Sequence, residues 1–222
     1  MAHAPNRPTP AALRALARRD PALGAVMKDM RRSAPFPGFP ETATKARESH
    51  YESLARAIVF QQLSGKAAST IWGRAVALTP GRAFPKPADL LALGEEPVRG
   101  CGISRPKLAA LTDLATRAVE GRLGLRNAAR LDEDELVARL TAVRGIGVWS
   151  AHMFLMFKLG RLDVLPVGDL GVQEGLRLLD GLDERPGPDE VAARGEVWRP
   201  LASVASWYLW RLTDTPRCEE KG

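Results

Sequence analysis

Two short segments of this chain combine residue types at spacings that could do chemistry. In DVLPVGDLGVQEG (163–175), Pro166 and Gly168 make a turn ahead of a helical run, which puts Asp169 at or near a helix N-terminus. A carboxylate there either caps the helix or is held to face a ligand bound just upstream. The second segment, RGIGVW (144–149), is such an upstream feature. Gly145 and Gly147 allow a tight turn while Ile146 anchors it inside, so that consecutive backbone N–H groups opening the next helix can receive a phosphate oxygen. A structural corner between two helices is the alternative reading of the same glycines. Arg144, Lys66 and Lys107 are candidate supporting phosphate contacts or ordinary surface charges. Carbonyls of the turn, around Val143 and Gly145, could hold a structural monovalent cation that bridges to phosphate, and no other cofactor is expected.

The elements that must position these groups are helical. Leu13, Leu16 and Ala17, then Leu23, Val26, Met27 and Met30, recur at helical spacing, with Asp20 and Pro21 as a cap and first-turn pair. The proline-rich SAPFPGFP (33–40) ends that region as a packed crossover. Leu54, Ala57, Ile58 and Gln61 share one face, and Ala67, Ala68, Ile71 and Trp72 begin another after a break at Ser64 or Gly65. Ser104 and Pro106 open an amphipathic helix that buries Leu108, Leu111, Leu114, Ala115 and Ala118. One helix from about Asp132 to Leu140 and another from Gly147 or Val148 to about Lys158 flank the glycine turn. Further helical runs follow Asp169 and Pro200. No segment alternates convincingly with period two, so the chain reads as all-α.

Composition narrows the partners. With 222 residues and 45% hydrophobic content the chain can bury a substantial core, and its net charge of +6 favours a polyanionic partner. No apolar stretch reaches transmembrane length, because Lys158, Arg161 and Asp163 interrupt the longest. The first twenty residues lack a signal-peptide core, so a cytoplasmic, nucleoid-associated location is expected. Cys101 and Cys218 cannot build an iron–sulfur cluster or a cysteine zinc site, and His3, His50 and His152 have no metal-ligand spacing.

Taken together, SLARAIVFQQLSGKAASTIW (53–72), GISRPKLAALTDLA (102–115), LTAVRGIGVWSAHMFLMF (140–157), DVLPVGDLGVQEG (163–175) and VWRPLASVASWYLWRL (197–212) resemble bacterial 3-methyladenine DNA glycosylase II, in the alkylation-repair branch of the helix-hairpin-helix DNA glycosylase superfamily. The resemblance implies an all-α, two-lobed fold with a central DNA-facing cleft. Residues 45–168 would form a central lobe with the hairpin at about 132–158, and residues 1–44 would pack with 169–222 as the second. It implies a monofunctional N-glycosylase, a monomer acting on double-stranded DNA and on no membrane. Alkylated bases such as 3-methyladenine and 7-methylguanine would be flipped out and released, leaving an abasic site. Asp169 falls where the family's aspartate stabilises the cationic sugar and guides water. Trp149 stands where bifunctional relatives carry their imine-forming lysine, and an indole cannot form an imine.

Trp149 is the expected wall of the base pocket, with Trp207 or Tyr208 approaching it, and an aromatic face favours an electron-poor alkylated base. Gln62 or Leu63 would be the wedge that fills the duplex gap. The family commonly has leucine directly after the first glutamine, where this chain has Gln62. It often has an arginine where this chain has Ala202. The competing readings are a non-enzymatic module that grips DNA through the hairpin, and a glycosylase for deaminated or ethenylated bases.

Overall fold

The computed structural model describes residues 6–40, 48–81 and 83–214. His3, Cys218 and the beginning of the expected N-terminal lead-in lie outside these residues, as does the expected lobe boundary at 44/45. In chain order the helices are α1 (Pro10–Arg19), α2 (Pro21–Asp29), α3 (His50–Phe60), α4 (Gly65–Val76), α5 (Pro87–Leu93), α6 (Glu95–Gly100), α7 (Arg105–Val119), α8 (Glu133–Thr141), α9 (Val148–Phe157), α10 (Leu170–Asp180), α11 (Pro188–Gly195) and α12 (Ala202–Asp214), with a 3-10 turn at Glu196–Trp198. Among the described residues there is no sheet, only an isolated antiparallel bridge between Asn6 and Phe39. The fold is all-α, and among the described residues no helix is long and apolar enough to cross a membrane.

Local chemistry accounts for where these helices begin. Thr9, Asp20, Ser49, Ser64, Asp132 and Asp169 each accept a hydrogen bond from a first-turn amide through the side chain, a cap that stabilises a helix by about 1 kcal/mol. Proline occupies the first turn of α1, α2, α5, α7 and α11, where its missing N–H costs nothing.

The described residues divide into two compact units, one within Thr42–Leu159 and one within Ala4–Glu41 and Gly160–Gly222. In the first, α7 is the central helix. It buries Leu108, Leu111, Leu114 and Ala115 and packs against α3, which contributes Leu54 and Ile58, and α5, which contributes Leu90. Helices α8 and α9 pack together beside the glycine turn. In the second unit α10 lies against α12, and α2 packs on both. The crossover at 33–40 does pack: Phe36 meets Phe39 edge-on at 4.9 Å and Trp207 at 5.9 Å, and Phe39 is fully buried.

Candidate active site

The glycine turn between α8 and α9 is built from the backbone outward. Gly145 adopts φ +78°, a left-handed conformation that glycine enters without a Cβ penalty, while Ile146 and Val143 are buried beneath the turn. Gly147 is the N-cap of α9 and supplies no side-chain cap, and a Cβ placed there would meet nothing within 4 Å. Gly145, Gly147 and Val148 are all exposed. Arg144 extends from it exposed, while its own amide donates to Asp113 Oδ2 at 2.8 Å. Burial alone would push the Asp113 carboxyl up, but this amide, the Arg117 guanidinium and nearby Arg122 hold it below the ordinary range. The Val143 carbonyl accepts the Ile146 amide, and the Gly145 carbonyl accepts Gln61 Nε2 at 2.9 Å.

The turn between α3 and α4 carries the expected wedge residues. Gln62 and Leu63 are both exposed, and Gln62 is the one non-glycine residue among those described with positive φ, at +54°. That conformation costs a residue with a Cβ about 1–2 kcal/mol. Lys66 projects exposed from the first turn of α4. Lys107, expected at phosphate, is turned to the end of α3, where its ammonium donates to the Val59 carbonyl at 2.8 Å and the Gln61 carbonyl at 2.7 Å. Burial lowers its pKa.

A cavity of about 650 Å³ opens within the same unit, between α3 and α9. Phe60, Trp149, Met153, Phe154 and Phe157 give it aromatic and thioether walls, and Glu48, Arg56, Gln61, Gln62 and Lys158 supply its polar groups. Trp149, in the first turn of α9, is 53% exposed on the cavity wall. The Arg56 guanidinium lies 4.6 Å from the Phe60 ring centroid and 3.6 Å from Glu48. Lys158 is buried, donates to the Glu48 carbonyl, and has its pKa lowered by burial against the opposing pull of Glu48 and Glu52.

Asp169 belongs to the second unit. It is 8% exposed and caps α10, its Oδ1 accepting the Val172 amide at 2.8 Å. The same oxygen accepts the indole N–H of Trp210, also at 2.8 Å. Both donors orient the carboxylate from the protein side, so it is a fixed anion rather than a swinging one. Gly171 makes room for this contact, because a Cβ there would lie 2.7 Å from Trp210 Cδ1 and 3.1 Å from Asp169 Oδ1. Sequence reasoning missed Trp210, which pairs with Asp169 across 41 residues. Trp207 and Tyr208 are buried with edge-on rings 5.0 Å apart, and the Tyr208 hydroxyl accepts the Phe36 amide.

Comparison with known proteins places this architecture in a family. A sequence profile of the HhH-GPD superfamily of base excision DNA repair proteins matches residues 55–200. The chain is 36% identical over 168 residues to DNA-3-methyladenine glycosylase 1 of Schizosaccharomyces pombe, covering 75% of this chain and 74% of that one. Among solved structures, the S. pombe 3-methyladenine DNA glycosylase Mag1 in complex with abasic DNA superimposes with a TM-score of 0.74 at 31% identity, over 93% of this chain and 98% of that one. The DNA-3-methyladenine glycosidase of Bacillus halodurans superimposes with a TM-score of 0.82 at 34% identity, over 93% and 90%. The chain belongs to the HhH-GPD superfamily. Within it, the chain is 3-methyladenine DNA glycosylase-like, related to bacterial and eukaryotic members alike.

Proposed function

We propose that this protein is a monofunctional DNA glycosylase that hydrolyses the N-glycosidic bond of alkylated bases such as 3-methyladenine and 7-methylguanine, in double-stranded DNA. The observation that carries the reading is Asp169, a buried carboxylate fixed by two donors on one oxygen at a helix N-terminus. Departure of a cationic alkylpurine needs little protonation of the leaving group, so the barrier lies mainly in the positive charge growing on the deoxyribose. A preorganised anion lowers that barrier directly, because no solvent must reorient as the charge develops. The same anion guides the attacking water.

The remaining groups bind rather than react. The exposed Gly145–Gly147 turn takes a phosphate on its backbone amides, with Arg144 and Lys66 adding charge. Each carbonyl of Val143 and Gly145 has a second lone pair, which suits a monovalent cation against that phosphate. Trp149 and the aromatic walls beside it would enclose the extruded base, and the indole face favours an electron-poor, positively charged ring over a neutral one. Gln62 or Leu63 would fill the gap in the duplex. With tryptophan at position 149 and the Lys158 amine buried against the Glu48 carbonyl, no imine chemistry is expected.

The test is release of free base from methylated duplex DNA by the wild type and by Asp169→Asn. Asparagine retains an N-cap acceptor, so the variant folds and binds DNA, while its release rate falls at least about a hundredfold. Strand scission should appear only after alkali. Undiminished release by the variant would assign the chemistry to another group, and no release by either protein would favour a module that only grips DNA.

A further inference from the structure

The catalytic reading leaves three side chains unused: Lys107, Asp113 and the amide of Gln61. They form a continuous set of bonds. Lys107 Nζ donates to the Val59 and Gln61 carbonyls at the end of α3, at 2.8 and 2.7 Å. The Gln61 side chain then crosses to the hairpin and donates to the Gly145 carbonyl at 2.9 Å. Asp113 holds the neighbouring hairpin residue by accepting the Arg144 amide at 2.8 Å. Lys107 and Asp113 both lie on α7, so one helix grips the α3–α4 turn through a cation and the hairpin through an anion, while Gln61 ties the two directly.

What this bracket encloses is Gln62. A left-handed residue with a Cβ persists only where its surroundings over-determine it. Here the preceding residue is held at its carbonyl by Lys107 and at its side chain by Gly145, which leaves the chain little choice of direction at position 62. The bracket fixes the distance between the turn that probes the stack and the turn that takes a phosphate.

We propose that Gln61, Lys107 and Asp113 are positioning residues that lock the Gln62–Leu63 turn to the Gly145–Gly147 hairpin, so that docking the hairpin on the DNA backbone by itself sets the wedge into the stack. The inference rests on the reading of Gln62 and Leu63 as wedge residues. A simple cap on α3 would need Lys107 alone, with neither the Gln61 crossing nor Asp113.

A double-mutant cycle decides between these. Gln61→Met keeps the length of the side chain and removes its N–H donors; it is combined with Gln62→Ala in the full chain. Three quantities are read: unstacking of a 2-aminopurine placed beside an abasic analogue in duplex DNA, single-turnover base release at saturating enzyme, and Tm. Gln61→Met should reduce both the fluorescence gain and the release rate by about tenfold, and should add less than about twofold in the Gln62→Ala background, because both act through the same wedge. Lys107→Met should behave like Gln61→Met, and Lys107→Arg, which keeps two donors for the two carbonyls, should recover most of the signal. Effects that multiply in the double variant, or a drop in Tm with normal fluorescence and release, would overturn the proposal. The fluorescence arm does not require catalysis: if the wild type unstacks the probe but releases no base, the glycosylase reading fails while the coupling is still decided.

Discussion

Asp169 and Trp210 show how much of a candidate site can hang on a single hydrogen bond. Oδ1 is shared between a backbone amide, which any capped helix provides, and an indole N–H, which only this packing provides. Trp210→Phe keeps an aromatic side chain, though a smaller one, and deletes the N–H. A hydrogen bond to a charged group contributes about 1.5–3 kcal/mol to stability, so Tm should fall by several degrees, and the loss of fixed orientation should lower base release roughly tenfold to a hundredfold. Single-turnover kinetics beside a melting curve would check this, and an unchanged rate would show that the cap alone orients the carboxylate. At this scale the sequence was legible wherever a position in the fold follows from neighbours. Asp169 is recognisable from the turn before it and the helix after it, and Gly145 from the hairpin pattern. Trp210 was not, because its partner is set by how two helices pack.

Contact between whole helices depends on residues chosen for absence of bulk. A Cβ on Gly175 would lie 2.5 Å from the Leu209 carbonyl oxygen, a backbone atom that cannot swing aside. Gly175→Ala should therefore force α10 away from α12 and destabilise the protein by about 1–3 kcal/mol, a fall in Tm of about 2–4 °C for each of them. Gly73, on an exposed face of α4 with nothing within 4 Å of its Cβ position, is the matched control: Gly73→Ala should stabilise by about 0.4–1 kcal/mol. Two thermal melts separate close packing from helix propensity. The long helices of this fold could be read from apolar spacing and caps, since Ser64, Asp132 and Asp169 all cap where the pattern predicts. Helices α5, α6 and α11 were not foreseen. At 7, 6 and 8 residues they span only about two turns each, too few for a periodicity to rise above chance, and they are held by what they pack on.

At the scale of the chain, residues far apart in sequence are joined through a buried carboxylate. Asp20 caps α2 and also accepts the Trp198 indole N–H at 2.7 Å and an Arg194 contact at 2.8 Å. Burial by itself would raise its pKa, but these three donors hold it below the ordinary carboxylate value of 3.8. The unfolded chain then binds the proton more readily than the folded one. This contribution is full above the unfolded value and is lost as pH falls through the lower folded value. Asp20→Asn should flatten the acid limb of stability, read as urea midpoints over a pH series, and a limb that stays as steep would place the acid sensitivity elsewhere.

The bond between Asp20 and Trp198 spans 178 residues, and the unit it closes draws on both the beginning and the end of the described chain. Synthesis from N- to C-terminus delivers α1 and α2 before their later partners, so Leu16 of α1 must wait for the 3-10 turn at Glu196–Trp198 and Leu23 of α2 for α10 and α12. At ordinary elongation rates the delay is on the order of ten seconds. The unit within Thr42–Leu159 is contiguous and can fold in that interval, whereas the opening helices spend it as an unfinished surface. Helices α1 and α2 thus stay open to a chaperone until α12 emerges, and a ribosome stalled before α12 would release a protein half closed.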